Sequence, residues 1–142
     1  MRALLDVNVL IALLDANHTS HHAARRWLSD NAVNGWASCP ITQNGCLRIM
    51  SHPSYSMSAS VREIALRLRD ATASDVHQFW PDDVSLLDEG LLDATRIHGP
   101  RQLSDVYLLA LAVRHRGYLV TFDRSIGIDA VKTATADHLL VL

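Results

Sequence analysis

Residues 2–14 constrain this chain more than any other stretch. The run from Arg2 to Leu5 is apolar after its first residue and ends in Asp6, and residues 7–14 (VNVLIALL) continue apolar with Asn8 as the one polar break. A buried strand turning directly into a buried helix accounts for this pattern better than one long strand. The rest of the chain repeats that alternation. Ser20 to Ser29 has helical spacing, and Val33 to Cys39 reads as a short strand. Pro40, well suited to a first turn, begins a helix running to about Met50, which His52-Pro53 stops. Ser58 to Thr72 carries Val61, Ile64, Ala65 and Leu68 on one face, which predicts an amphipathic helix with a basic exposed side. His77 to Trp80 reads as a strand, and Asp88 to His98 as a helix ended by Gly99-Pro100. Ser104 to His115 gives the clearest helical signal, with Ser104 as N-cap, Asp105 in the first turn and an apolar middle. Tyr118 to Phe122 follows as a buried strand, and Leu139 to Leu142 as a last one. This order predicts an α/β fold, a central parallel sheet flanked by helices on both faces.

With 142 residues, 49% hydrophobic and 20% charged, the chain is expected to fold as one domain over residues 1–142. Its longest uninterrupted apolar run, Val106 to Val113, is eight residues, where a membrane helix needs about 20. Asp6 falls where a signal peptide would need apolar residues, so a cytoplasmic protein is expected. Cys39 and Cys46 then read as reduced core residues. The formal charge is −2, which argues against a nucleic-acid partner only if charges are evenly spread. They are unusual in kind: 13 Asp against 2 Glu, and 12 Arg against one Lys.

In a parallel α/β sheet the ligand site lies outside the carboxyl ends of the strands. Asp6 ends the first strand, Asp123 ends the strand Tyr118 to Phe122, and Asp105 opens the helix that feeds that strand. Three carboxylates therefore converge on one edge. Carboxylates gathered in an apolar framework repel one another without a cation, and hard divalent cations such as Mg²⁺ and Mn²⁺ require oxygen ligands. Taken singly, Asp105 reads as a residue stabilising a helix start and Asp123 as a turn residue. Asp6 is harder to explain that way, since it interrupts an apolar stretch.

Four ordered blocks then matter together: Leu5-Asp6-Val7-Asn8-Val9-Leu10; Pro40-Ile41-Thr42-Gln43-Asn44-Gly45 with Leu47-Arg48 and Ser51-His52-Pro53; Leu103-Ser104-Asp105 with Leu108 to Ala112; and Thr121-Phe122-Asp123-Arg124. Over nearly the whole chain they resemble the PIN-domain toxins of VapC type. The resemblance implies a three-layer PIN-like fold and a Mg²⁺-dependent endoribonuclease, with Mn²⁺ as the alternative ion. It also implies a homodimer that cuts RNA and is neutralised by a VapB-type antitoxin. By position, Asp6, Asp105 and Asp123 match the family's acidic metal-site residues, Asn8 the polar position two after the first, and Thr121 the polar position before the last. Gln43 departs from the pattern, standing where the family ordinarily has Glu. Gln keeps the shape and one acceptor oxygen but removes a negative charge and a proton acceptor. Two origins fit it: a natural variant of reduced or altered activity, or a deliberate replacement that spares a host. Two functions fit as well, a nuclease or a weakened PIN domain that binds RNA or antitoxin without cutting.

On the nuclease reading, Mg²⁺ held by Asp6, Asp105 and Asp123 lowers the pKa of a bound water and polarises the scissile phosphate. The products are then expected to carry 5′-phosphate and 3′-hydroxyl ends. Arg101 and Arg124 flank the acids and are the candidates for RNA phosphate contact, whereas Arg48, Arg114 and Arg116 read first as solvated helix-face residues. His18, His21 and His22 lack companions at closed-site spacing, and Trp27, Trp36 and Trp80 read as core. A phosphoacceptor receiver domain would want paired acids after the first strand and a late sheet Lys. A haloacid-dehalogenase-like phosphatase would want Asp where Asn8 stands.

Overall fold

Asp6 splits the N-terminal apolar stretch into two elements in the computed structural model, which describes all of residues 1–142. Strand β1 is Ala3–Leu5, and helix α1 is Val7–Leu14. The Asp6 backbone is extended, and its side chain accepts from the Val7 amide, satisfying one of the donors a helix start leaves unpaired. Next come α2 (His21–Asn31), β2 (Trp36–Ser38) and α3 (Pro40–Met50). Then follow α4 (Val61–Thr72), β3 (His77–Phe79), α5 (Leu103–Arg114), β4 (Tyr118–Thr121) and β5 (Leu139–Val141).

The five strands form one parallel sheet in the order β3-β2-β1-β4-β5. β1 is central, its three residues all buried, with Leu4 opposite both Ala37 and Leu119. Side chains alternate across the sheet as strand geometry requires. Leu4, Ala37 and Leu119 join the α5 side chains Val106 to Ala112 in one core. Ala3, Leu5, Trp36 and Val120 join Val9, Leu10, Cys46, Met50 and Ile64, from α1, α3 and α4, in the other. The expected three layers are therefore present. Cys39 and Cys46 are free and buried, and burial pushes the Cys46 thiol up to about 12. No helix is long and apolar enough to cross a membrane.

Two expectations need correcting. Asp88 to His98 is not a helix; only Ala94–Arg96 forms a 3₁₀ turn. Leu92 instead bridges antiparallel to Val131, and the Asp93 and Lys132 amides donate to the Ala130 and Leu91 carbonyls. These nonlocal bonds hold the segment open, a tertiary override of a local helical pattern. Nor is Ser104 the cap of α5. A 3₁₀ turn over Pro100–Gln102 runs straight into the helix, so Gln102 takes the cap position and Ser104 lies inside the first turn.

Candidate functional site

The chain leaves β1 toward β2 and β3, then returns to lay β4 on the opposite side of β1. That reversal opens a crevice at the carboxyl ends of β1 and β4, the place where ligands bind in open α/β sheets. Asp6 stands at the end of β1, and Asp123 lies two residues beyond the end of β4.

Thr121 ties the two together. Its buried hydroxyl donates to Asp6 Oδ2 at 2.7 Å and accepts from the Asp123 amide at 3.0 Å and from Asn8 Nδ2 at 3.2 Å. One donor and two acceptors exhaust what a hydroxyl offers. Asn8 Oδ1 accepts from the Phe122 amide at 3.2 Å, so the start of α1 clasps the β4 turn. Asp6 Oδ1 accepts from the Val7 amide at 2.7 Å. Asp123 Oδ1 accepts from the Ser125 amide at 2.8 Å and from its hydroxyl at 2.6 Å.

The three carboxylates feel one another. Burial first, then the charges of Asp6 and Asp123, push the Asp105 carboxyl up to about 6. Burial also raises Asp6 against the pull of Thr121 and Val7, with Asp123 adding to the rise. Asp123 is lowered instead, because Ser125 hydrogen-bonds its ionised form. No three His, Cys, Asp or Glu side chains stand at the spacing of a closed ligand cage. The acids are neighbours through their fields rather than a preformed cage. A half-buried set of mutually repelling carboxylates has the donor chemistry that suits a hard divalent cation.

Gln43 is half-buried in the second turn of α3 and donates from Nε2 to Ser38 Oγ at 3.0 Å. Ser38 in turn lies 2.8 Å from His77 Nε2. Arg101 sits in the 3₁₀ turn ahead of α5 and Arg124 directly after Asp123; both are exposed, and neither forms a salt bridge. A cavity of about 160 Å³ reaches Asp105, lined also by Gln102, Val106 and Ser125. A mainly apolar cavity of about 360 Å³, lined by Leu10, Leu14, Leu28, Trp36 and Leu68, involves none of the acids.

Ser125, Ser38 and His77 escaped the sequence reading. Ser38 had a signal, since it is a polar residue closing an apolar strand, as Thr121 is. His77 had none, because its partner lies 39 residues away on another strand. Near α2, His18 Nδ1 accepts from the Ser20 amide at 3.0 Å, and His21 Nδ1 lies 2.7 Å from the Ala12 carbonyl oxygen. Trp36 and Trp80 are core residues.

Residues 3–132, which include the whole acidic edge, match the family model described as "PIN domain". The chain is 51% identical over 142 residues, all of both chains, to Ribonuclease VapC44 of Mycobacterium tuberculosis. It is 44% identical to Ribonuclease VapC39 of the same organism, over 92% of this chain and 94% of that one. The chain thus belongs to the VapC group of the PIN-domain family. The fold also matches a crystal structure of VapBC2 from Rickettsia felis bound to a promoter DNA fragment. That match has TM-score 0.56 at 14% identity and covers 88% of this chain and 90% of the other.

Proposed function

We propose that this chain is an endoribonuclease toxin of a toxin-antitoxin pair, hydrolysing RNA phosphodiester bonds at the Asp6, Asp105 and Asp123 edge. The observation that carries the reading is the gathering of these carboxylates at the sheet's switch point, with Asp105 raised to about 6 by burial and then by the charges of Asp6 and Asp123. The likeness to Ribonuclease VapC44 and Ribonuclease VapC39 supports the chemistry. The VapBC2 structure and the VapC relatives support a VapB-type antitoxin as partner. The 142 residues act as one PIN domain, homodimeric and cytoplasmic.

Asp6, Asp105 and Asp123 would hold Mg²⁺, or Mn²⁺. Such an ion supplies an acidified water and charge neutralisation on the phosphate. The remaining work falls to the chain. Thr121 fixes the Asp6 carboxylate, Asn8 holds the turn that carries Asp123, and Ser125 keeps Asp123 ionised. Arg101 and Arg124 bind phosphates of the substrate backbone. Gln43 offers an acceptor oxygen but takes up no proton, so removal of a proton from water has no carboxylate base at this position. That loss favours a second reading, RNA or antitoxin binding with little cutting.

Incubation of the chain with tRNA and rRNA in Mg²⁺, with and without chelator, tests both. Cation-dependent fragments with 5′-phosphate and 3′-hydroxyl ends are expected. Ends with 2′,3′-cyclic phosphate would refute the mechanism, and intact RNA that is nonetheless bound would select the second reading. Co-expression with the cognate antitoxin is expected to relieve growth arrest.

A further inference from the structure

Gln43, Ser38 and His77 form a hydrogen-bond chain whose direction can be worked out atom by atom. Ser38 is fully buried, and its hydroxyl has two side-chain partners, Gln43 Nε2 at 3.0 Å and His77 Nε2 at 2.8 Å. An amide nitrogen only donates, so Ser38 Oγ accepts from Gln43. The acceptor left for the hydroxyl hydrogen is His77 Nε2, so Nε2 carries no hydrogen. A neutral imidazole has a single N–H, which then sits on Nδ1. Every link agrees with the others, and Gln43 Oε1 is left without a hydrogen bond from the protein.

We propose that Ser38 and His77 are positioning residues for side chain 43. The Nδ1–H form of His77 pins the amide nitrogen and turns the amide oxygen loose as the acceptor available to substrate, water or cation. A Glu at 43 can only accept, so it reverses the chain: Ser38 donates to the carboxylate, and His77 Nε2–H donates to Ser38. The ring is suited to the neutral form. Burial lowers its basicity, and Arg2, the charged group acting on it, lowers it further. Arg2 is held there by the Val76 and Trp36 carbonyls, and the Trp36 ring lies 4.4 Å from the imidazole. Position 43 therefore sets the His77 tautomer, and His77 sets which atom of residue 43 is free. The functional part of this inference rests on the site proposed above; the tautomer does not.

The test uses the full chain with ¹⁵N-labelled histidine, the His77 signals being assigned by their loss in His77→Asn. Long-range ¹H–¹⁵N spectra distinguish Nδ1–H from Nε2–H. The parent is expected to show neutral His77 with Nδ1–H. Gln43→Glu is expected to show Nε2–H or imidazolium, with proton affinity raised about tenfold. Ser38→Ala is expected to make the His77 signals the same with Gln or Glu at 43. Nε2–H in the parent, or no change on Gln43→Glu, overturns the inference. In the Gln43→Glu background, Ser38→Ala is expected to lower kcat about tenfold with KM unchanged; an unchanged kcat overturns the positioning role. If no variant cuts RNA but the tautomer switches, the site reading fails and the relay stands. If RNA is cut and the tautomer does not move, the relay alone fails.

Discussion

Thr121 shows how one hydroxyl can hold a site. It is fully buried and uses its donor and both acceptors on Asp6, Asn8 and Asp123. Thr121→Val keeps the shape and deletes all three bonds, leaving Asn8 Nδ2 and the Asp123 amide to find other partners. Denaturant unfolding is expected to show a loss of about 1–3 kcal/mol, and RNA cleavage to fall at least tenfold, while Thr121→Ser stays close to the parent. Gln43→Glu is expected to raise the cleavage rate by supplying a carboxylate base, roughly 10²-fold for general base catalysis; equal rates would show that position 43 takes no part. The sequence pointed to Asp6, Asp105 and Asp123 because strand ends and helix starts are local patterns. It marked Ser38 only as a polar residue closing an apolar strand, and it could not point to His77, whose meaning comes from strands brought side by side.

Among the elements, the α5–β4 connection shows where local rules end. Arg116 adopts φ 56°, a left-handed conformation disfavoured for a side chain, and the Gly117 amide closes back on the Ala112 carbonyl at 2.8 Å. The helical signal from Ser104 to His115 placed this helix end in the sequence, but not which residue would turn left-handed. Gly117 is needed for space instead: a Cβ there would overlap the Arg2 carbonyl oxygen and sit 2.7 Å from Trp80. The two positions should therefore respond in opposite ways. Arg116→Gly is expected to raise stability by about 0.5–1 kcal/mol through relief of backbone strain. Gly117→Ala is expected to lower it by about 1–3 kcal/mol through overpacking against backbone. Thermal melts of both variants check the pair, and a shift in the same direction would refute it. The same lesson holds for Asp88 to His98, where bonds to residues 130–132 overrode the helical pattern.

At the scale of the molecule, the parallel sheet that was readable as strand-helix alternation also concentrates negative charge at one end of its central strands. A net charge of −2 hides this, because exposed arginines such as Arg101 and Arg124 offset buried or half-buried acids. The concentration should make the cation-free fold less stable than its packing allows. Asp105 holds its proton more tightly in the folded chain, at about 6 against 3.8. Between those values the native state binds more protons than the unfolded one, so stability falls as pH rises through that window. Asp6 acts in the same direction, and Asp123, lowered by Ser125, acts in the opposite one. Asp105→Asn removes the largest of these penalties. In chelator at neutral pH the variant is expected to melt a few degrees above the parent, reflecting on the order of 1 kcal/mol after solvent screening. As the pH falls below the ordinary carboxylate range the difference should vanish, because Asp105 is then protonated in both the folded and the unfolded parent. Mg²⁺ should reverse the order, raising the parent's melting temperature in proportion to ligand binding and the variant's much less. A variant that melts below the parent in chelator would show that Asp105 stabilises the fold rather than straining it. It would also remove the electrostatic reason for placing a cation at this edge.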